Sequence, residues 1–199
     1  MVTECSVVIL AAGNSERMGF PKFLLKYSHS LTFIEHFVNQ YKIFGCKQIV
    51  CVLNPTGYKL INEQLNNIIE KVTIAINPNP ERGRFSSIKI GLSKIDGDNP
   101  VFIQNIDNPY ISIPLLSKLL EKCSEYNYTN PVVEGKGGHP VVIDSKIKND
   151  IIREESNELR LDFYLKKYNG CKLNVDDRRI LFNINNMDDY RTNIGQKFK

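Results

Sequence analysis

Two cations, Arg17 and Lys22, sit in a glycine-bearing segment that follows directly on a short apolar run. That run, Ser6-Val7-Val8-Ile9-Leu10, is rich in β-branched residues and reads as a buried strand. It stops at Ala11-Ala12-Gly13, whose small side chains let another group come close to the backbone. The loop from there to Lys22 therefore offers backbone N–H groups at the carboxyl end of a strand, the edge of open α/β sheets at which ligands bind. N–H dipoles together with a guanidinium and an ammonium make a cradle for a polyphosphate. The spacing fits neither Walker A nor G-x-G-x-x-G, and on composition alone such a loop is also an ordinary surface connection.

Further candidates follow downstream. Asp107 comes just after the hydrophobic run Val101-Phe102-Ile103-Gln104 and immediately before the turn pair Asn108-Pro109. That placement suits a turn or cap residue. It also suits a ligand of Mg²⁺, which arrives with a triphosphate and prefers one or two carboxylates plus phosphate oxygens. Ser86 and Ser87 fall near a helix start, where hydroxyls cap. Arg82 and Arg84, in the same stretch, suit either a phosphate or plain solvent. His139 lies in a Gly-rich turn, and Asn185 follows an apolar run as a turn residue would.

Strand and helix signals alternate along the chain without a linker or repeat. Strands are expected at Ser6–Leu10, Gln48–Leu53, Val72–Ile76, Pro100–Gln104, Asn130–Val133, Pro140–Ile143, Cys171–Val175 and Ile180–Ile184. Helices are expected at Leu31–Phe44 with Gly45 as its C-cap, from Asn54-Pro55 to about Lys71, and at Phe85–Ile95, Pro114–Tyr126, Asn157–Tyr168 and Asp188–Arg191. Such alternation predicts a mostly parallel sheet covered on both faces. The Gly-rich Glu134–Gly138 joins two strands directly and predicts an antiparallel excursion.

The bulk numbers describe an ordinary globular protein: 199 residues, enough for one domain, with 42% hydrophobic and 24% charged residues. A net charge of +4 suits an anionic ligand, while Lys and Arg are spread without a basic stripe, which argues against nucleic acid. No apolar run approaches the ~20 residues needed to span a bilayer and no leader pattern is present, so a cytoplasmic protein away from membranes is expected. The five cysteines lack C-x-x-C spacing and read as reduced, mostly buried thiols.

The segment Leu10-Ala11-Ala12-Gly13-Asn14-Ser15-Glu16-Arg17-Met18-Gly19-Phe20-Pro21-Lys22 resembles the signature loop of the nucleotidyltransferase superfamily, L-A-A-G-x-S-x-R-M-G-x-P-K, at every fixed position. The likeness extends over the whole chain and is to the MobA-like molybdenum-cofactor enzymes, the molybdopterin cytidylyltransferases in particular. It implies a single Rossmann-like α/β/α domain over residues 1–199 with a mixed, mostly parallel sheet. It implies catalytic roles for Arg17 and Lys22, and nucleotide contacts from Leu10, Ala11, Ala12, Gly13 and Ser15. Ser87 and Gly91 match the family's G-x-x-x-S-x-x-x-G-L element, which makes Ser87 a base contact. Asp107 and Pro109 match its G-D-x-P element, with Ile106 where glycine is usual. Asn185 stands at the third position of a block similar to D-I-D-T-P-E-D-Y, so Asp107 and Asn185 are the implied Mg²⁺ ligands. His139, in a segment similar to G-H-P-V, joins Arg82 and Arg84 on the acceptor side. Of the following G-D-x-G-A-R block only Arg160 lines up, around Ser156–Arg160.

The implied reaction is Mg²⁺-dependent transfer of a nucleotidyl group from an NTP to a phosphate-bearing acceptor, with release of pyrophosphate. Leu-Ala-Ala-Gly, where guanine users carry Leu-Ala-Gly-Gly, favours CTP, and the G-H-P segment favours a molybdopterin-like acceptor. Methylerythritol-phosphate and sugar-phosphate nucleotidyltransferases are the near alternatives, although the former usually place Gln where this chain has Phe23. A different class, a non-catalytic nucleotide- or cofactor-binding accessory protein, is motivated by the departures at Ile106, Asn185 and Ser156–Arg160.

Overall fold

The opening apolar run forms β1 (Ser6–Leu10), buried along its whole length. Its neighbours are equally apolar, β2 (Gln48–Leu53) and β4 (Val101–Asn105), and each pairs with it in parallel. Strands with near-continuous apolar sequence belong in the middle of a sheet covered on both faces. Alternation divides them between two cores. Val7, Ile9, Cys51, Leu53 and Phe102 point to one face, and Val8, Leu10, Val50, Val52 and Ile103 to the other. This computed structural model describes residues 4–65, 68 and 70–194.

The first face is covered by α1 (Phe33–Phe44) and α4 (Ile113–Lys122). Helix α1 starts at a capping box in which Thr32 and Glu35 satisfy each other's backbone N–H groups, and it ends at Gly45 with φ 95°. It buries Phe33, Ile34, Phe37, Val38 and Tyr41 as one stripe. The second face is covered by α3 (Arg84–Leu92), α5 (Ser145–Arg153) and the short α6 (Leu161–Tyr164). Helix α3 lies flat on the sheet because Gly91 has no side chain. A Cβ there would run into methyls of Val8 and Val52, the latter at 2.8 Å.

The strand order is β3-β2-β1-β4-β7-β5-β6, with β3 at Thr73–Ile76, β5 at Tyr128–Val133, β6 at Lys136–Gly137 and β7 at Val141–Ile143; β8 (Gly170–Asn174) pairs with β5. The chain winds outward from β1 to β3, then returns to place β4 on the other side of β1. That reversal leaves a crevice at the carboxyl ends of β1 and β4, the position at which doubly wound sheets hold ligands. Strand β7 pairs antiparallel with both β4 and β5, and β5 with β6, which realises the excursion expected around Glu134–Gly138. The mixed, mostly parallel α/β/α architecture is as the sequence implies.

Several elements differ from expectation. Ile180–Ile184 is not a strand: Arg178–Leu181 is a 3₁₀ turn and irregular chain follows. Its backbone bonds go to the turn after β4, since Asn108 Nδ2 donates to the Ile180 carbonyl (2.6 Å) and the Ile184 N–H donates to that of Asp107 (2.7 Å). The helix expected over Asn157–Tyr168 shrinks to α6 plus a 3₁₀ turn at Leu165–Lys167. Helix α5 was not expected, yet Asp144 caps it through the Ile147 N–H (2.8 Å), and Ile147 and Ile151 form its buried face. Helix α2 spans Pro55–Gln64; of its expected extension to about Lys71, residues 66, 67 and 69 lie outside the described residues. The final helix, α7, runs Met187–Asn193. All five cysteines are free, with the Cys5 and Cys46 sulfurs 3.3 Å apart. Among the described residues no helix is long and apolar enough to cross a membrane.

Candidate active site

The loop after β1 is held by hydrogen bonds at its two ends and left open between them. Ser15 takes the left-handed conformation (φ 55°), unusual for a residue with a Cβ. Its carbonyl accepts from the Met18 and Gly19 N–H groups, and its hydroxyl accepts from the Lys22 N–H at 3.3 Å. Asn54, the N-cap of α2, donates its amide to the Ala12 carbonyl (3.1 Å) and to Asn14 Oδ1 (3.3 Å). With the carbonyl side so fixed, the N–H groups of Ala12, Gly13, Asn14 and Ser15 have no protein acceptor among the described residues. Successive unpaired N–H groups at a strand's carboxyl end are the donor array that anion-binding backbone concavities use.

These groups line a cavity of about 580 Å³ at the crevice between β1 and β4. Leu10, Ala11, Ala12, Gly13, Ser15, Arg17, Lys22, Arg84, Ser87, Asp107 and Asn185 all face it, so nearly every residue singled out in the sequence meets here. Two do not. Arg82 lies outside the lining, exposed on a 3₁₀ turn (Pro80–Arg82). His139 lines a neighbouring cavity instead. Ile106, where the resemblance would have glycine, also faces the cavity, with its side chain buried against the core.

Lys22 is half-buried, and that desolvation holds its ammonium below the usual lysine range. Asp107 and Asp189 oppose the shift, while Arg17 and Arg84 add to it. Three cations thus converge on one cavity and repel one another, an imbalance that an incoming polyanion relieves.

On the opposite wall Ser87 sits in the first turns of α3. Buried Asn77 donates to the Ser87 hydroxyl (2.9 Å) and to that of Ser86 (3.0 Å), and Ser86 donates onward to the Gly83 carbonyl (2.8 Å). Ser86 is therefore not the cap its position suggests: the N-cap residue is Gly83, no side chain caps the helix, and the Ser86 hydroxyl turns back to the Gly83 carbonyl instead. The Ser87 oxygen is occupied as an acceptor, so its own proton remains to be donated. Asn77 gave no sequence signal, because a polar contact between two buried side chains has no periodicity.

Asp107 is carried on a turn anchored from three directions. Gln104, itself accepting from Tyr41 (2.9 Å), donates to the Asn105 and Asn108 carbonyls, and the Ile106 N–H donates to Leu10 (3.1 Å). The bond from Ile184 to the Asp107 carbonyl brings Asn185 alongside. Asn185 is fixed by its N–H to Asp189 Oδ2 (2.8 Å), and the same carboxylate closes a capping box with Asn186 at the start of α7. Asp107 Oδ1 is buried and unpartnered, and Oδ2 lies 4.0 Å from Arg84 Nη2. An orphaned carboxylate oxygen and an amide side chain lining the same cavity supply hard-oxygen donors of the kind that fit Mg²⁺. Among the described residues there is no group of three His, Cys, Asp or Glu side chains that could hold a metal alone, so phosphate oxygens would have to complete the shell.

His139 is half-buried in the wall next to β4, where Asn105 Nδ2 lies 2.6 Å from its Nε2. Burial, reinforced by Arg84 and opposed by Asp107, pushes its pKa down to about 4, so the imidazole is neutral.

Comparison with known proteins places this geometry. The MobA-like NTP transferase domain matches residues 7–168. A probable molybdenum cofactor guanylyltransferase from Bacillus mycoides is 32% identical over 136 residues, 68% of this chain and 65% of that protein. The chain thus spans a little under two thirds of that relative's length. A 2-C-methyl-D-erythritol 4-phosphate cytidylyltransferase from Caldicellulosiruptor saccharolyticus is 29% identical over 150 residues, covering 74% and 66%. Among solved structures, Rv0371c from Mycobacterium tuberculosis superposes with a TM-score of 0.83 at 19% identity over 98% of this chain and 99% of its own. A complex of the same protein with manganese gives 0.78 at 17% identity over 98% and 100%. The fold match covers 98% of this chain, and the sequence match begins in β1 and runs through the loop after it, the Ser87 wall and the Asp107 turn. On that ground the chain belongs to the MobA-like NTP transferase family.

Proposed function

We propose that the protein transfers the nucleotidyl group of an NTP, CTP by preference, to the phosphate of a small molybdopterin-like acceptor, releasing pyrophosphate. An acceptor phosphate oxygen forms a bond to the α-phosphorus as the bond to the β-phosphate oxygen breaks. A phosphate monoester is mostly dianionic at neutral pH, its second pKa being about 6, so no general base is required. What the protein must supply is in-line placement and neutralisation of negative charge. The observation that carries this reading is the set of four unpartnered N–H groups, Ala12 to Ser15, facing one cavity with Arg17 and Lys22.

In this reading the N–H groups and Arg17 hold the triphosphate, and Lys22 stabilises the departing pyrophosphate. Asp107 and Asn185 would hold Mg²⁺, which when bound supplies Lewis-acid neutralisation of the phosphates. Ser87 donates its free proton to an acceptor edge of the base, of which cytosine offers two in its ring nitrogen and carbonyl. Ala12 narrows the space beside the base and disfavours a purine. GTP is the second reading, supported by the name of the Bacillus mycoides relative. Pyrophosphate release, measured for CTP, GTP, UTP and ATP with a panel of phosphate acceptors and Mg²⁺, tests the proposal. Release is expected with CTP first. Binding of a triphosphate with no release from any acceptor would leave the accessory-binder alternative standing instead.

A further inference from the structure

The sulfurs of Cys5 and Cys46 lie 3.3 Å apart, although 41 positions separate the two residues in the chain. Among the described residues no other two cysteines come within hydrogen-bonding reach of each other. The contact is built by the backbone. Cys5 stands at the entry to β1, and Cys46 one residue past Gly45, the C-cap of α1. The Lys47 N–H donates to the Cys5 carbonyl (2.8 Å) and the Lys47 ammonium pairs with Glu4 (3.2 Å), so the two segments are stitched together. Cys5 is 2% exposed and Cys46 half-buried, which sets the pair at the edge of the core with one member partly open to solvent. This end of β1 is opposite the crevice, roughly 17 Å of strand from Leu10. A buried line of hydrogen bonds nevertheless joins the two ends. The Cys46 N–H donates to the Tyr41 carbonyl in the last turn of α1 (3.0 Å). The Tyr41 hydroxyl donates to Gln104 Oε1 (2.9 Å), and Gln104 Nε2 donates to the Asn105 and Asn108 carbonyls (2.9 and 3.1 Å), which bracket Asp107. Tyr41 and Gln104 are fully buried, where a polar network holds firmly only while every member keeps its partner.

We propose that Cys5 and Cys46 are a redox site that closes reversibly to a disulfide, and that closure acts on the Asp107 turn through Tyr41 and Gln104. Only the consequence for Mg²⁺ rests on the nucleotidyl-transfer reading above. The co-reactant is a small disulfide such as oxidised glutathione. The Cys46 thiolate attacks one of its sulfurs, breaking that S–S bond and releasing one glutathione thiolate. The Cys5 thiolate then attacks the Cys46 sulfur and releases the second. The two cysteine protons end on the two departing glutathiones, which also take up the two electrons that the cysteine pair gives. Closure brings the sulfurs from 3.3 Å to about 2.05 Å. Cys5 is continuous with a central strand, so Cys46 is the member that moves. Its backbone bond draws on the last turn of α1, and a close-packed core passes the displacement on to the Tyr41 ring. The Tyr41 hydroxyl leaves Gln104, whose amide then grips the two carbonyls less firmly, and the turn that carries Asp107 loosens.

The test equilibrates the full chain in reduced and in oxidised glutathione buffers, alkylates free thiols and maps disulfides by mass spectrometry. A Cys5–Cys46 linked peptide is expected in the oxidised buffer and is expected to disappear on returning the protein to the reduced one. Cys5→Ser and Cys46→Ser should each abolish it, while Cys171→Ser, which removes the other half-buried thiol, should leave it in place. Amide hydrogen exchange, followed by NMR, reads the turn. The Ile106 and Asn108 N–H groups, bonded to the Leu10 and Asn105 carbonyls, should exchange roughly threefold or more faster in the oxidised protein. Tyr41→Phe should still form the disulfide, yet exchange at these two positions should no longer depend on it. On the nucleotidyl-transfer reading, oxidation also raises the Mg²⁺ concentration for half-maximal pyrophosphate release, again in wild type and not in Tyr41→Phe. Absence of the linked peptide, turn exchange indifferent to the disulfide, or a redox difference that survives Tyr41→Phe would each overturn the proposal. A loosened turn with an unchanged Mg²⁺ requirement would uphold the redox site and take Asp107 out of the metal site instead.

Discussion

Arg84 Nη2 and Asp107 Oδ2 face each other at 4.0 Å across the crevice, one from the first turn of α3 and the other from the turn that follows β4. The arginine side chain is 57% exposed and the aspartate 16%, so the pair is loose on one side and fixed on the other. A link of that length contributes little to stability. On the proposed reading it leaves Arg84 free to swing toward an acceptor phosphate while Asp107 stays where its anchored turn holds it.

Asp107→Asn keeps the shape of a turn residue and removes the charge. If Asp107 merely shaped the turn, the change would be nearly silent. As a metal ligand it should raise the Mg²⁺ concentration needed for half-maximal pyrophosphate release and cut turnover by about 10²-fold or more. The melting temperature should stay close to wild type. A superimposable magnesium titration would remove Asp107 from the metal site.

Lys22→Ala should separate folding from chemistry in the same way. The side chain lies half-buried in a polar loop, so truncation should change stability by less than about 0.5 kcal/mol. Loss of a group that stabilises developing charge commonly lowers turnover by roughly 10²–10³-fold, or about 3–4 kcal/mol. Steady-state rates alongside a urea titration read both quantities. Activity within threefold of wild type in a folded variant would take Lys22 out of the mechanism.

The gathering of the loop after β1 at one cavity was legible because its composition is local: small residues and two cations fall within a few positions of the strand. The left-handed conformation of Ser15 was not, since no residue type announces it. The Ile180–Ile184 segment was misread because Ile180, Phe182 and Ile184 alternate as a strand would, yet its backbone groups find partners in the Asp107 turn. Period-two alternation reports burial on one side, not what the N–H and C=O groups bond to. Helix α5 was legible in principle from Asp144 and the spacing of Ile147 and Ile151, but the intervening Lys146 and Lys148 mask a two-residue stripe. Asn77 and Asn105 act through contacts with Ser87 and His139 that only the folded chain creates.

On the proposed reading base selectivity rests on Ala12, which is 3% exposed and lines the larger cavity. Calorimetry with Mg²⁺ should give CTP an affinity roughly 30- to 150-fold above that of GTP, equivalent to about 2–3 kcal/mol of shape and hydrogen-bond discrimination. Ala12→Gly should narrow the gap, chiefly by improving GTP. Equal affinities in the wild type would overturn the preference for CTP without touching the phosphate loop.

His139 gives the metal-free, nucleotide-free protein a pH signature. Its folded pKa of about 4 lies below the unfolded value of 6.5, so between the two the unfolded chain binds a proton that the folded chain refuses. Stability therefore rises with pH across this window and is lost as pH falls from about 6.5 toward 4. Arg84 and Asp107 are the charged groups that act on the ring, in opposite directions. His139→Gln cannot titrate. Between pH 7.5 and 4.5, wild type should lose about 2–3 kcal/mol more than the variant, read from urea midpoints. Parallel pH profiles would mean that the ring is accessible to protons.

Gly91 lines neither cavity, yet it sets the clearance between α3 and the sheet beneath it. Ser87 lies one turn up the helix and Arg84 two, about 6 and 10 Å along its axis by the usual rise per residue. A methyl group at position 91 would act as a wedge under that lever, tipping both residues outward together. The Ser87 wall and the cavity edge at Arg84 are therefore not independent parts. On the proposed reading, a change at one position that lines neither cavity would retune which nucleotide and which acceptor the crevice accepts, in a single step.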